Sequence, residues 1–174
     1  MNLKHIFYLV SFLFISMVGY SQDDFENWNK RYTEINITDL IHYEKTYADS
    51  VDNGLIEGKY YSRMGFYRLE ASFQGEKRKT ADSIIVSMKN VNKLFGNKKF
   101  DLLLDKAITE YLFKIDGTNY WLPIQDVLKE SFENEIAKSD IVMLYCVLFN
   151  EHRFNGALYN TFLISEFQKE PINN

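Results

Sequence analysis

The chain has 174 residues, a formal net charge of −4 and a single cysteine. Its length suits one domain with a real hydrophobic core. One cysteine excludes an intramolecular disulfide, and the mildly acidic balance argues against binding to a phosphate backbone, which depends on clustered Lys and Arg. The 14 Phe, 12 Tyr and 2 Trp supply large side chains for a core without a disulfide.

Residues 1–21 have the pattern of a secretory signal peptide. Lys4 precedes an apolar run over residues 6–18, and the small residues Gly19 and Ser21 follow at the positions that a signal peptidase requires. A membrane-spanning helix needs roughly 20 apolar residues, so an uncleaved N-terminal anchor is the weaker alternative. The sequence therefore predicts export to the periplasm or the outside of the cell, with no membrane span after cleavage.

The remainder is predicted to form one domain. We expect a loose lead-in over residues 22–38, an α+β domain over residues 39–168 and a C-terminal tail over residues 169–174. The leader, together with many Lys, Asn, Ile, Phe and Tyr residues, is typical of a small exported bacterial protein.

The first helix is expected over residues 39–52, capped by Asn36 or Thr38. Its apolar residues recur at helical spacing, and they are Leu40, Tyr43, Tyr47 and Val51. Residues 59–73 then alternate from Tyr67 onward, which predicts a strand with one buried face. Gly65 is expected to mark a bulge.

A turn is expected over residues 74–76, and Lys77-Arg78-Lys79 is interpreted as a solvated loop. Thr80 then caps a helix whose apolar residues recur at helical spacing up to Phe95. A further short turn of helix is expected over residues 99–106.

A β-hairpin follows, since residues 108–115 and 118–123 flank Asp116-Gly117. This dipeptide suits a type I′ turn, in which both positions have positive φ. The register pairs Phe113 with Tyr120 and Leu112 with Trp121, and we expect Trp121 to be buried and Tyr120 to be more exposed.

The last third begins with a helix over residues 125–138, with Val127 and Phe132 on its apolar face. Residues 141–149 are apolar throughout, which predicts a central strand covered on both faces. Residues 158–167 form the final strand after a polar loop.

The fold class is therefore α+β, with one five-stranded, mostly antiparallel sheet and three helices. Five strands with a helix between the third and fourth also describe an OB-like barrel with an inserted helix. The open sheet is the first hypothesis and the barrel the second.

No catalytic, metal or cofactor motif stands out. After cleavage two histidines remain, His42 and His152, and neither has ligands at the spacing of a zinc site. Cys146 lies in the apolar strand, where a thiol is inert. We therefore predict no catalytic residue, no metal and no cofactor.

Aromatic residues give the only indication of a site. Tyr60, Tyr61 and Tyr120 are candidate binding residues, because flat rings can stack on sugars or peptides, although core packing is the stronger explanation for the aromatic content. The leading hypothesis is a small non-enzymatic domain that binds a protein or glycan partner in the cell envelope. The alternatives are an envelope hydrolase that uses carboxylates and a structural subunit of an assembly. The oligomeric state is not readable from the sequence.

Overall fold

A computed structural model describes residues 25–57, 61–95, 98–153 and 156–169. The predicted signal peptide and Tyr60 lie outside this part of the chain. The contacts divide the chain into two units, residues 1–33 and residues 34–174. None of the described helices is both long and apolar enough to cross a membrane.

In the first unit, residues 25–31 form a helix, α1, whose Phe25 and Trp28 rings pack edge to face with centroids 5.1 Å apart. The prediction of a loose lead-in is therefore wrong for these residues. A short strand, β1 (Thr33–Glu34), follows at the boundary of the two units.

The second unit contains the remaining helices and strands. The helices are α2 (Ile37–Asp52), α3 (Asp82–Leu94), α4 (Lys98–Leu104) and α5 (Asp126–Glu135). The strands are β2 (Ser62–Lys79), β3 (Thr109–Ile115), β4 (Thr118–Ile124), β5 (Ile141–His152) and β6 (Leu158–Lys169).

The fold is mixed α+β, as predicted, but it has a six-stranded sheet and five helices among the described residues, where the sequence predicted five and three. The strand order is β1-β2-β3-β4-β6-β5, and β2 also pairs with β5. Only β4 and β6 are parallel, and they are joined by a single bridge between Ile124 and Ile164. The sheet is not a closed barrel.

Strand β2 is longer than predicted because it does not turn at residues 74–76. Residues 62–72 pair with β5, residues 72–79 pair with β3, and the register with β3 shifts between Phe73 and Lys77. Gly75, at φ +78°, supplies the backbone conformation for this irregularity, where other residues are strained. The Lys77-Arg78-Lys79 segment is therefore strand and not loop.

Gly65 has a different role from the predicted bulge, since the β2–β5 register runs through it without a shift. A Cβ atom at this position would lie 2.6 Å from the ring of Tyr67. The absence of a side chain lets that ring pack over the backbone.

Of the two predicted caps of α2, the structure has Asn36, whose Oδ1 accepts a hydrogen bond from the Asp39 N–H at 2.9 Å. Two further local predictions are wrong. Ala81, not Thr80, is the N-cap of α3. Helix α5 ends at Glu135, and Val127 is 73% exposed, so it does not belong to the buried face.

The hairpin has the predicted register, with Phe113 opposite Tyr120 and Leu112 opposite Trp121. Asp116 and Gly117 both have positive φ, at 49° and 82°, as a type I′ turn requires. This prediction is confirmed at each of its positions.

Strand β5 is central, as predicted, because β2 and β6 pair with its two edges and Cys146 is fully buried. Its two faces contribute to two hydrophobic clusters. Val142, Leu144 and Cys146 belong to the larger cluster, which packs against α2 and α5. Val147 and Phe149 belong to the smaller cluster, which is covered by α3 and α4.

Candidate functional site

An open pocket of about 240 Å³ lies between helix α2 and the start of strand β2. Tyr43, Glu44 and Tyr47 line it from the helix, where positions three and four apart share one side. Tyr61 and Arg63 line it from the other wall, at positions two apart that share one face of an extended chain. We call these five residues the tyrosine pocket.

Glu44 is the buried centre of this pocket, with only 1% of its surface exposed. One carboxylate oxygen accepts a hydrogen bond from the Tyr61 hydroxyl, and the other accepts one from the Arg63 guanidinium. Burying a carboxylate is costly unless it is paired and hydrogen-bonded, and these two donors satisfy that requirement. Burial, followed by the hydrogen bond to Glu44, raises the pKa of Tyr61 well above its ordinary value.

The aromatic rings around this carboxylate remain partly accessible. Tyr43 is exposed and Tyr47 is half-buried, and the Tyr47 ring packs edge to face on Tyr61 with centroids 5.2 Å apart. The Arg63 side chain keeps 38% of its surface exposed, yet its Nε is buried and has no hydrogen-bond partner among the described residues. The pocket therefore combines apolar ring faces with an ion pair.

The wall behind Tyr61 is held by the end of strand β5. The His152 N–H donates to the Tyr61 carbonyl at 2.9 Å. The buried His152 ring places Nε2 3.1 Å from Asp52 Oδ1 and packs edge to face against Tyr61 at 6.1 Å. These contacts connect the C-terminal end of α2 to β5 and fix the position of Tyr61.

Of the candidate binding residues, Tyr61 and Tyr120 are described by the structure, and these two do not come together. Tyr61 lines the tyrosine pocket, whereas Tyr120 packs against the large hydrophobic cluster and its hydroxyl lies 2.8 Å from Thr38 Oγ1. Trp121 is half-buried on the opposite face, and the Arg78 guanidinium lies 4.3 Å above its ring. The predicted assignment of faces, with Trp121 in the core and Tyr120 outside, is therefore wrong.

Sequence reasoning missed Tyr43, Glu44, Tyr47 and Arg63 as site residues. The helical spacing of Tyr43 and Tyr47 places them on the apolar side of α2 and predicts burial, whereas Tyr43 is exposed and Tyr47 is half-buried. The available signal was Glu44 within that stripe, because a carboxylate on an apolar helix face needs a donor from elsewhere. Which strand supplies the donor depends on tertiary structure.

The described part of the chain gives little support for a metal site or for a catalytic cysteine or carboxylate outside this pocket. No three His, Cys, Asp or Glu side chains there lie close enough together to hold a metal ion. The Cys146 thiol is fully buried, and burial raises its pKa, which makes it a poor nucleophile. Glu151 bonds to Asn90 at 3.1 Å and to Arg153 at 2.7 Å, so that carboxylate is already engaged.

Comparison with protein-family models, with curated proteins and with solved structures finds no match to this chain. The functional argument therefore depends on the geometry of the tyrosine pocket.

Proposed function

We propose that the protein is a small exported binding module whose tyrosine pocket receives one sugar unit of a cell-envelope glycan. The observation that carries this proposal is one open pocket in which accessible tyrosine rings lie beside an ion pair between the buried Glu44 and the partly exposed Arg63. Export follows from the leader pattern of residues 1–21.

The chemistry of the pocket fits a sugar better than a purely apolar ligand. A pyranose ring has an apolar C–H face that packs on an aromatic ring and hydroxyls around its edge that need polar partners. Tyr43 and Tyr47 offer ring surface, while the exposed part of the Arg63 guanidinium offers donors. A cavity of about 240 Å³ is smaller than most drug-sized sites and suits a single ring.

Binding is favoured over hydrolysis by the number of carboxylates. Most glycoside hydrolases place two Asp or Glu side chains across the scissile bond. Among the described residues that line the pocket, Glu44 is the only carboxylate, and both of its oxygens already accept hydrogen bonds. The second candidate function, a carboxylate-dependent hydrolase, therefore has less support.

A glycan array followed by calorimetry tests this function. Tyr47→Ala removes one ring wall, and we expect about a tenfold loss of affinity, equivalent to ~1.4 kcal/mol. Tyr159→Ala is the matched control, because Tyr159 also lies beside an arginine, Arg153, but on β6 outside the pocket. The proposal fails if no envelope glycan binds, or if both variants lose affinity equally.

Export is tested separately by N-terminal sequencing of the secreted or periplasmic protein. We expect the mature chain to begin at Gln22, directly after Ser21. An intact Met1 in this material would contradict cleavage and support the anchor.

A further inference from the structure

Exposed apolar side chains concentrate on the helical pair α3–α4. Of the twelve large apolar side chains that are exposed in the described part of the chain, six lie between residues 86 and 108. Leu94 is 71% exposed and Leu102 70%, although both belong to well-formed helices. We call Leu94, Phe95, Leu102 and Leu103 the hairpin patch.

The two helices run antiparallel, because two hydrogen bonds cross between them in opposite sequence order. Lys89 Nζ donates to Asp105 Oδ1 at 2.6 Å, and Asn92 Nδ2 donates to Asp101 Oδ1 at 2.8 Å. The end of α3 therefore lies near the start of α4, and Leu94 and Phe95 are at the tip of the pair.

The side of the α3–α4 pair that faces the sheet is packed against it. Met88, Val91 and Leu104 are fully buried and pack with Phe149 and Leu163 of the sheet in the smaller cluster. The hairpin patch is not part of that cluster, and it is available for contact with a partner.

The segment that carries this patch is basic in sequence, although the protein as a whole is acidic. Residues 89–106 contain five Lys and two Asp, an excess of three positive charges, whereas the whole chain has a net charge of −4. Both aspartates are engaged by Lys89 and Asn92. Lys93, which directly precedes Leu94, is exposed. Exposed Leu and Phe beside lysines are typical of segments that lie in the interface of a membrane.

We propose that the α3–α4 pair binds the surface of an anionic lipid membrane. The side chains of the hairpin patch enter the boundary between headgroups and acyl chains, and the lysines bind lipid phosphates. Charge complementarity favours this partner over a second copy of the chain, whose equally positive pair would repel the first. The inference does not depend on the tyrosine pocket.

Vesicle flotation tests the proposal, with phosphatidylcholine vesicles prepared with and without phosphatidylglycerol. All proteins are full chains with the same N-terminus, so that an apolar leader affects every sample alike. We expect binding that requires phosphatidylglycerol and that added salt weakens.

Two variant pairs locate the surface. Leu94→Ser combined with Phe95→Ser should abolish the part of flotation that requires phosphatidylglycerol, while Val127→Ser, which changes a similarly exposed apolar residue on α5, should not. Lys93→Glu should weaken partition at least roughly fivefold, whereas Lys45→Glu on α2 should have little effect. These positions are exposed, so the variants should fold.

Three results would overturn the proposal. The first is flotation that does not depend on phosphatidylglycerol, and the second is equal binding by the patch variants and their controls. The third is a dimer, detected by light scattering, that the patch variants dissociate, because the patch would then bind another copy of the chain.

Discussion

At two places in the described part of the chain, a tyrosine hydroxyl and a basic side chain contact one glutamate carboxylate, and the surroundings of the two differ. In the tyrosine pocket, Tyr61 and Arg63 donate to Glu44. Near the end of β2, Tyr111 donates to Glu133 at 2.5 Å, and Lys77 Nζ lies 3.0 Å from the same carboxylate oxygen.

The two combinations differ in which partner is buried. Glu44 is buried, and the rings and guanidinium around it remain partly accessible. Tyr111 is only 1% exposed and lies among phenylalanines, while the Glu133 side chain keeps 35% of its surface exposed. Glu133 therefore provides the hydrogen-bond acceptor that the hydroxyl of the buried Tyr111 needs. Glu44, in contrast, forms an ion pair with Arg63 within an open pocket.

This difference gives a criterion for separating packing from binding. Where a buried polar group bonds to a partner near the surface, its need for a hydrogen-bond partner is a sufficient explanation. A buried carboxylate also needs donors, and two donors meet that need for Glu44. They do not explain why the aromatic rings beside it remain accessible, and a ligand that packs on those rings would. The predictions below test whether the two combinations separate in this way.

The largest expected effect comes from Phe132→Ala beneath Tyr111. Phe132 is fully buried, and its ring contacts four others at centroid distances from 4.7 to 5.9 Å; they are Phe73, Tyr111, Phe113 and Phe167. We expect the free energy of unfolding to fall by about 3–5 kcal/mol, because a large cavity is left in the core. Urea unfolding measures this, and Val127→Ala on the exposed side of α5 is the control.

Phe132→Ala should leave glycan affinity unchanged in the fraction that remains folded, because the ring does not line the tyrosine pocket. A parallel loss of affinity in calorimetry would show that the two regions are coupled.

Glu44→Gln should have the next largest effect. The amide keeps the shape of the side chain but loses the charge that two donors require, so we expect a loss of about 1.5–3 kcal/mol in the free energy of unfolding. The partial exposure of Arg63 lets water solvate its guanidinium and limits the cost. Urea unfolding that shows no destabilisation would contradict the role of Glu44 as the charged centre of the pocket.

The register of the hairpin could be predicted because local sequence determines it. Asp116-Gly117 selects the turn, and the turn fixes which residues face each other across β3 and β4. The central position of β5 could likewise be read from a run that is apolar at every position. The prediction of which face is buried was wrong for Tyr120 and Trp121. Neighbouring residues of a strand lie on opposite faces of the sheet, but the alternation does not show which face is turned toward the core.

The long β2 strand and the tyrosine pocket could not be predicted for a related reason. Gln74-Gly75-Glu76 has the composition of a turn, yet the strand passes through it and exchanges one partner strand for another. The partner of Glu44 is set by where α2 packs relative to β2. Such pairings across the sheet depend on tertiary contacts that no local window contains.

Replacing each tyrosine by phenylalanine compares the two hydroxyl groups directly. Tyr111→Phe should lower the free energy of unfolding by about 1 kcal/mol, the net value of a typical hydrogen bond, and Tyr61→Phe by about 1–3 kcal/mol, because it leaves one oxygen of the buried Glu44 carboxylate without a donor. Only Tyr61→Phe should also weaken glycan binding, because its hydroxyl orients Glu44 in the pocket. Calorimetry and urea unfolding of both variants separate the two effects, and equal affinities would remove Tyr61 from the site.

The smallest effect should come from Glu133→Gln, and it should depend on pH. Hydrogen bonds from Tyr111, and then from Lys77, hold the pKa of the Glu133 carboxyl below its ordinary value in the folded protein. A depressed pKa contributes stability above the unfolded-state value, and that contribution is lost as pH falls through the folded-state value. Because about a third of the Glu133 side chain is exposed and water screens its interactions, the contribution at neutral pH should be less than about 1 kcal/mol. Unfolding measured from neutral pH down to about pH 3 should show the wild type and Glu133→Gln converging. If the difference between them instead grows as the pH falls, the carboxylate is not stabilised by Tyr111 and Lys77 in the way that this combination requires.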